Sequence, residues 1–130
     1  AGEGETAFRR LEAVALAAAL AAGAAVLACG GGIVLDPRNR RSLAERCRVV
    51  WLEVRPATAA ARLVASSVGR PLLAGAQASG PAELERRLAE LLEERRGLYA
   101  EVARVRIAVD DRSPAEVADE VLRRLVGGAR

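Results

Sequence analysis

Four arginines stand where a solvated helix face is not the obvious explanation for them. Arg9 follows Phe8 near the start of a helical stretch, and Arg70 lies in a loop before a proline. Arg95 comes four residues before Tyr99, and Arg112 follows the acidic pair Asp110-Asp111. A guanidinium offers a planar fork suited to carboxylate and phosphate oxygens, and it stays charged under all relevant conditions. Beside them stands a backbone feature, Cys29-Gly30-Gly31-Gly32, which closes an apolar run. Glycines without Cβ atoms let a ligand approach the main chain closely, so the triple glycine is a candidate binding floor. The same glycines also suit a plain turn, and each arginine taken singly also suits the surface.

Composition narrows the chemistry. The chain has 130 residues, one domain's worth, and is 52% hydrophobic with only Phe8, Trp51 and Tyr99 as aromatics. Its core must therefore come from Leu, Val and small residues. All 20 basic residues are arginine and histidine is absent. No lysine can form a Schiff base or serve a phosphate loop of the form G-x-x-x-x-G-K-S/T. Triads with a histidine base and histidine-ligated metal sites are excluded as well. The net charge is +3, with arginines interleaved among acidic residues. That pattern fits solvated helix faces better than a nucleic-acid stripe, so no nucleic-acid partner is expected. Cys29 and Cys47 form no C-x-x-C pair. Both are read as buried thiols in a reducing, cytoplasmic compartment.

From Ala13 to Leu35 no residue is charged, a length that could span a bilayer. Gly23 and Gly30 to Gly32 interrupt it, however, and a helix followed by a buried strand accounts for the same residues. A membrane-associated alanine-rich protein is thus the weakest reading, and no membrane partner is expected. The opening Gly2-Glu3-Gly4-Glu5 is unlike the basic start of a signal peptide.

These groups need elements to position them. Glu5 to Ala22 reads as a helix with Phe8, Leu11, Ala15 and Ala18 on one face, stopped by Gly23. Ala24 to Cys29 reads as the first strand, with the glycines as its loop. Asp36-Pro37 opens a short helix to about Arg46. Val49 to Val54 is a second strand, apolar on both faces at its start. A helix begins at Pro56, and residues 66–80, with Gly69, Gly75 and Gly80, form a long loop of the kind that is often a lid. Pro81 starts a long helix with Leu84, Leu88, Leu91 and Leu92 inward, broken at Gly97. Val105 to Val109 alternates as a third strand, and Ser113-Pro114-Ala115-Glu116 is a capping-box start for the last helix. Strands alternating with helices give an α/β class with a parallel sheet and right-handed crossovers.

Five segments occur in the order and spacing of a known family. They are Gly4-Glu5-x-x-Phe8-Arg9-x-x-Glu12, Val26 to Gly32, Val49-Val50-Trp51-Leu52, Arg70-Pro71-Leu72-Leu73 and Arg95-x-x-Leu98-Tyr99-x-x-Val102-Ala103. In this combination the chain resembles shikimate kinase over nearly all its length. The resemblance implies a P-loop kinase-like parallel sheet, of the nucleoside-monophosphate-kinase type, lacking here its first two strands. It implies ATP-dependent phosphorylation of the shikimate 3-hydroxyl, in the chorismate and aromatic amino acid pathway. ATP and Mg²⁺ would serve the intact family enzyme, while the Mg²⁺ ligand is missing from this chain. By the same resemblance, Arg9 and Arg95 bind the shikimate carboxylate within a wall formed by Gly30, Gly31 and Gly32. Gly31 contacts substrate through its backbone, the lid residue Arg70 acts catalytically and on the ATP phosphates, and Arg112 lies by the adenine.

The chain departs from the family pattern in having neither the phosphate loop nor the Asp-x-Asp strand end. It therefore resembles the last two-thirds or so of the enzyme, a single partial domain with its lid near residues 66–80. In the family sheet the absent first strand lies between those matching Ala24–Cys29 and Val49–Val54, which would leave backbone groups unpaired. The expectation is a monomeric fragment of marginal stability, inactive alone. The alternative is a non-catalytic shikimate-binding module that keeps only the carboxylate pocket.

Overall fold

Alanine, leucine, glutamate and arginine, all strong helix formers, make up most of the first helix, α1, Gly2–Ala21. Gly23, with φ of 75°, takes the left-handed conformation that ends it, and its N–H meets the Leu20 carbonyl. The computed structural model describes residues 2–23, 26–65 and 80–127. Contacts divide the chain into two units, Ala1–Val49 and Val50–Arg130.

In the first unit the sequence reading needs two corrections. Phe8 and Leu11 are 54% and 68% exposed, so they do not face inward. The covered side of α1 instead runs through Arg9, Glu12, Leu16 and Leu20, charged at its start and apolar at its end. Apolar residues surround this alanine-rich helix, so periodicity alone did not single out a face. The second correction concerns the strand expected at Ala24–Cys29. Its described part, 26–29, forms no ladder, and Val26 is almost fully exposed. A strand persists only when its N–H and C=O groups are paired, and among the described residues no strand pairs with 26–29.

The glycines lead instead into a 3-10 turn, Gly31–Leu35, that packs against both α1 and α2, Pro37–Arg46. Helix α2 starts where the sequence places it, with Asp36 accepting from the Arg38 N–H at 2.8 Å and Pro37 in the first turn. Side chains of α2 answer carbonyls of the 3-10 turn. Buried Asn39 donates Nδ2 to Ile33 O at 3.1 Å, and Arg40 donates to Val34 O at 2.7 Å. Arg46 at the other end donates to Leu20 O at 3.1 Å.

The second unit holds the sheet. Strand β1, Val50–Glu53, pairs in parallel with β2, Val105–Ala108, in the register Trp51 to Arg106 and Leu52 to Ile107. Parallel strands need a crossover, and the described crossover is helical. It comprises α3, Pro56–Ala65, and α4, Pro81–Val102, which pack together through buried Ala60 and Leu84 with Leu63, Leu88 and Leu91 around them. Ile107 is fully buried, and Trp51 lies between Tyr99, with ring centroids 5.4 Å apart, and the Arg106 guanidinium 4.2 Å away. Asp111, at φ of 57°, turns the chain into α5, Pro114–Gly127. The capping box forms in both directions: Glu116 N–H to Ser113 Oγ and Ser113 N–H to Glu116 Oε1, each 3.1 Å. The fold class is thus α/β with a parallel sheet.

Helix α4 passes unbroken through Gly97, another departure from the sequence reading. A helical glycine costs about 1 kcal/mol against alanine, less than the packing of the flanking turns supplies. A Cβ at Gly97 would meet nothing within 4 Å. Gly97→Ala should therefore raise stability by about 0.5–1 kcal/mol, seen as a higher urea midpoint at unchanged slope.

Several carboxylates are held below their ordinary range. The Arg38 side chain and N–H hold Asp36, and the Thr58 hydroxyl, then the Arg55 N–H, hold Asp110. The Ser113 N–H holds Glu116, and Arg112 holds Glu120. A carboxyl whose folded pKa is depressed adds stability above its unfolded value of about 4, and loses it as pH falls through the folded value. The urea midpoint should be flat from about pH 7 to pH 5 and drop below about pH 4. Glu116→Gln should flatten part of that drop.

Candidate functional site

Arg9 is carried on the second turn of α1, on the side that faces the glycine turn. Glu5, four residues before it, and Glu12, three after it, share that side, as helical spacing requires. The guanidinium is only 23% exposed and is bracketed by both carboxylates: Nη1 donates to Glu12 Oε1 at 2.8 Å, and Nε lies 3.8 Å from Glu5 Oε1. Its Cζ also lies 5.1 Å from the centre of the Phe8 ring. The buried Nε donates to no group among the described residues. Buried donors are nearly always answered, and leaving one unmade costs about 1–3 kcal/mol.

The glycines form the opposing wall. A Cβ placed at Gly30 would come within 3.7 Å of Glu12 Oε2, an ordinary contact. One placed at Gly32 would fall against Nη1, Cζ and Nη2 of Arg9, all inside 3.0 Å, closer than real Cβ atoms come. Gly32 is buried while Gly30 and Gly31 are exposed. The first unit thus brings together Arg9, Glu12 and the Gly30–Gly32 wall. Beside them an open depression of ≈ 490 Å³ is lined by Glu5, Thr6, Arg9, Arg10, Asp36 and Arg38 among others.

The other expected residues lie in the second unit. Arg95 is half-buried on α4. Its neighbours on that helix are engaged, Arg86 with Glu83 and Glu90, Arg87 with Glu90, and Arg96 with Glu93. Arg95 itself makes no hydrogen bond or ion pair among the described residues. Arg112 is committed within the fold: Nη1 meets Glu120 Oε1 at 2.5 Å and Ala108 O at 3.2 Å, and Nη2 meets Glu116 O at 3.5 Å. It ties the end of β2 to the start of α5. Arg70 and nearly all of the expected lid, 66–79, lie outside the described residues.

Two functional groups were not singled out by the sequence reading. The role of Glu12 as the clamp on Arg9 was signalled only by the i, i+3 spacing. The steric demand at Gly32 had no signal, because three adjacent glycines are indistinguishable in a sequence. The cysteines also differ from expectation. Both are free, but Cys29 is exposed and Cys47 only half-buried, since residues 26–29 enter no sheet. Partial burial, then the nearby Cys47 and Glu12, push the Cys29 thiol above its ordinary pKa. Among the described residues no group of three or more His, Cys, Asp or Glu could hold a metal ion, and no helix is long and apolar enough to cross a membrane.

Comparison with known proteins identifies the family. The sequence profile described as shikimate kinase matches residues 1–126. The chain is 40% identical over 126 residues to a shikimate kinase of Symbiobacterium thermophilum, covering 96% of this chain and 69% of that one. It is 44% identical over 120 residues to one of Streptomyces avermitilis, covering 92% and 65%. To one of Frankia casuarinae it is 50% identical over 116 residues, covering 89% and 48%. The chain therefore spans from about half to about two thirds of the length of these relatives. With a profile match over almost every residue and an arginine clamped against a triple-glycine wall, the chain belongs to the shikimate kinase family.

Proposed function

We propose that these residues form the acceptor side of a shikimate kinase, an enzyme that transfers a phosphoryl group from ATP to the 3-hydroxyl of shikimate. The observation that carries the proposal is the Arg9 guanidinium, held between Glu12 and Gly32 and lining an open depression. Shikimate is a small carboxylic acid, and a carboxylate is a ligand that the planar fork of a guanidinium suits. In this reading Arg9 and Arg95 each bind the carboxylate and so fix the ring, presenting its hydroxyl in one orientation. The backbone of Gly30 to Gly32 limits how deeply the ring can enter. Positioning of this kind is a large part of phosphoryl-transfer catalysis.

Arg70, in the segment 66–79, is proposed to reach the transferring phosphoryl group and neutralise its charge. Arg112 is proposed to lie by the adenine. ATP supplies the phosphoryl group, and Mg²⁺ neutralises charge on it when bound. The described residues hold no cluster fitted to a metal ion, and the 130 residues include no lysine for a phosphate loop. In this reading the described residues serve the acceptor side of the reaction.

The proposal is tested by titration calorimetry of the 130-residue chain with shikimate, beside a coupled assay for ADP. Shikimate should bind, and no ATP-dependent product should form. Two charge-assisted hydrogen bonds at about 1.5–3 kcal/mol each mean that Arg9→Ala should weaken binding by at least roughly tenfold. Binding unchanged in both Arg9→Ala and Arg95→Ala would overturn the assignment. Product formed by the 130 residues alone would overturn the division into acceptor and donor sides.

A further inference from the structure

The three glycines are not equivalent, and the difference concerns Arg9 rather than a ligand. Of the described glycines only Gly23 and Gly80 have positive φ. Gly32 therefore lies in backbone conformations open to any residue, and its conformation does not demand glycine. What demands it is space. The guanidinium of Arg9 occupies the volume a Cβ would take, with Nη1, Cζ and Nη2 all inside 3.0 Å of that point. Gly30 has no such demand, since its Cβ would meet only Glu12 Oε2 at 3.7 Å.

We infer that Gly32 is the positioning residue for Arg9: its missing side chain is the seat of the guanidinium, and any Cβ there displaces the arginine from Glu12. The inference deepens the carboxylate-binding role proposed above and rests on it only where binding is measured. The physics separates the seat from the fold. A guanidinium is the far end of a flexible side chain with four rotatable bonds, so it can swing away while α1 and the 3-10 turn stay in place. An alanine at 32 should thus remove the placement of Arg9 and leave stability nearly intact. A glycine needed for left-handed φ would behave the opposite way, losing the turn itself.

The test uses the full chain and four proteins: wild type, Gly32→Ala, Arg9→Ala and the double variant. The first readout is the Arg9 Nε–H resonance in a nitrogen-proton correlation spectrum, assigned by its loss in Arg9→Ala. In wild type this buried proton should exchange slowly with water. In Gly32→Ala it should shift and exchange at least tenfold faster, while Gly30→Ala leaves the signal in place. The second readout is shikimate affinity. Gly32→Ala should lower it at least tenfold in the wild-type background and not at all in the Arg9→Ala background, a non-additivity that marks one shared interaction.

An unmoved Nε–H signal in Gly32→Ala would overturn the inference. So would an equal loss of affinity in both backgrounds, which would mean that the residue at 32 touches the ligand directly. Wild type that binds no shikimate would end the ligand assignment, while the Nε–H readout would still decide the seat. If Gly32→Ala fails to fold, the double variant decides. Folding restored by removing Arg9 supports the clash, and a double variant equally unfolded overturns it.

Discussion

A guanidinium withdrawn from water must have its charge balanced and its donors answered, and the first unit is arranged around meeting that demand for Arg9. Charged groups are rarely buried unless paired. Helical spacing sets Glu5 and Glu12 on the same side as Arg9, one turn before and one turn after. The glycine turn then closes over the top. The turn in turn depends on α2, because Asn39 and Arg40 hold the Ile33 and Val34 carbonyls that no strand takes up. Removing α2 would free the turn, and a freed turn would no longer press on the guanidinium. The sequence of dependence runs from Asp36, which caps α2, through Asn39 and Arg40 to Gly32 and so to Arg9.

That dependence explains which parts of the chain could be read in advance. Helix α2 was legible because Asp36-Pro37 is a local signal whose capping bond needs no tertiary partner. The start of α5 was legible for the same reason, since Ser113 and Glu116 answer each other. Strand β1 and strand β2 were visible in their β-branched and aromatic runs to within one residue at each end. The inward face of α1 was not visible, because it changes character along its length: Arg9 and Glu12 at one end, Leu16 and Leu20 at the other. A pattern search weights apolar positions alone, so it followed Phe8 and Leu11 to the exposed side. Residues 26–29 failed differently. Their apolar run is a sound strand signal, but strand formation is decided by a neighbour that the run itself does not encode.

The site was legible as a set of residues and not as a geometry. Arg9 and the glycines were recognisable from their order and spacing, but which glycine carries the constraint depends on a close approach across the fold. Gly97 makes the complementary point. It looked like a helix break because glycine is a poor helix former, yet α4 continues because tertiary packing outweighs a cost of about 1 kcal/mol. A glycine is informative only when its surroundings are known. At 97 the surroundings are empty space, at 23 a left-handed turn, and at 32 a charged side chain.

Charge decides what the site still requires. One guanidinium between two carboxylates, with Glu12 only 12% exposed, makes this trio net acidic, while Arg10 and Arg38 line the depression beside it. An incoming carboxylate is drawn by the Arg9 charge and repelled by both glutamates, and at a few ångströms these terms are similar in size. Hydrogen bonding to Arg9 alone would give recognition without much affinity. A second cation is needed to tip the balance, and it must not be spent on an internal partner. Most arginines of α4 and α5 fail that condition because glutamates on the same helix engage them. Arg95 meets it: half-buried, on the same helix as Arg86 and Arg96, and joined to no acidic group among the described residues. In the proposed reading, that freedom leaves Arg95 available to a ligand carboxylate.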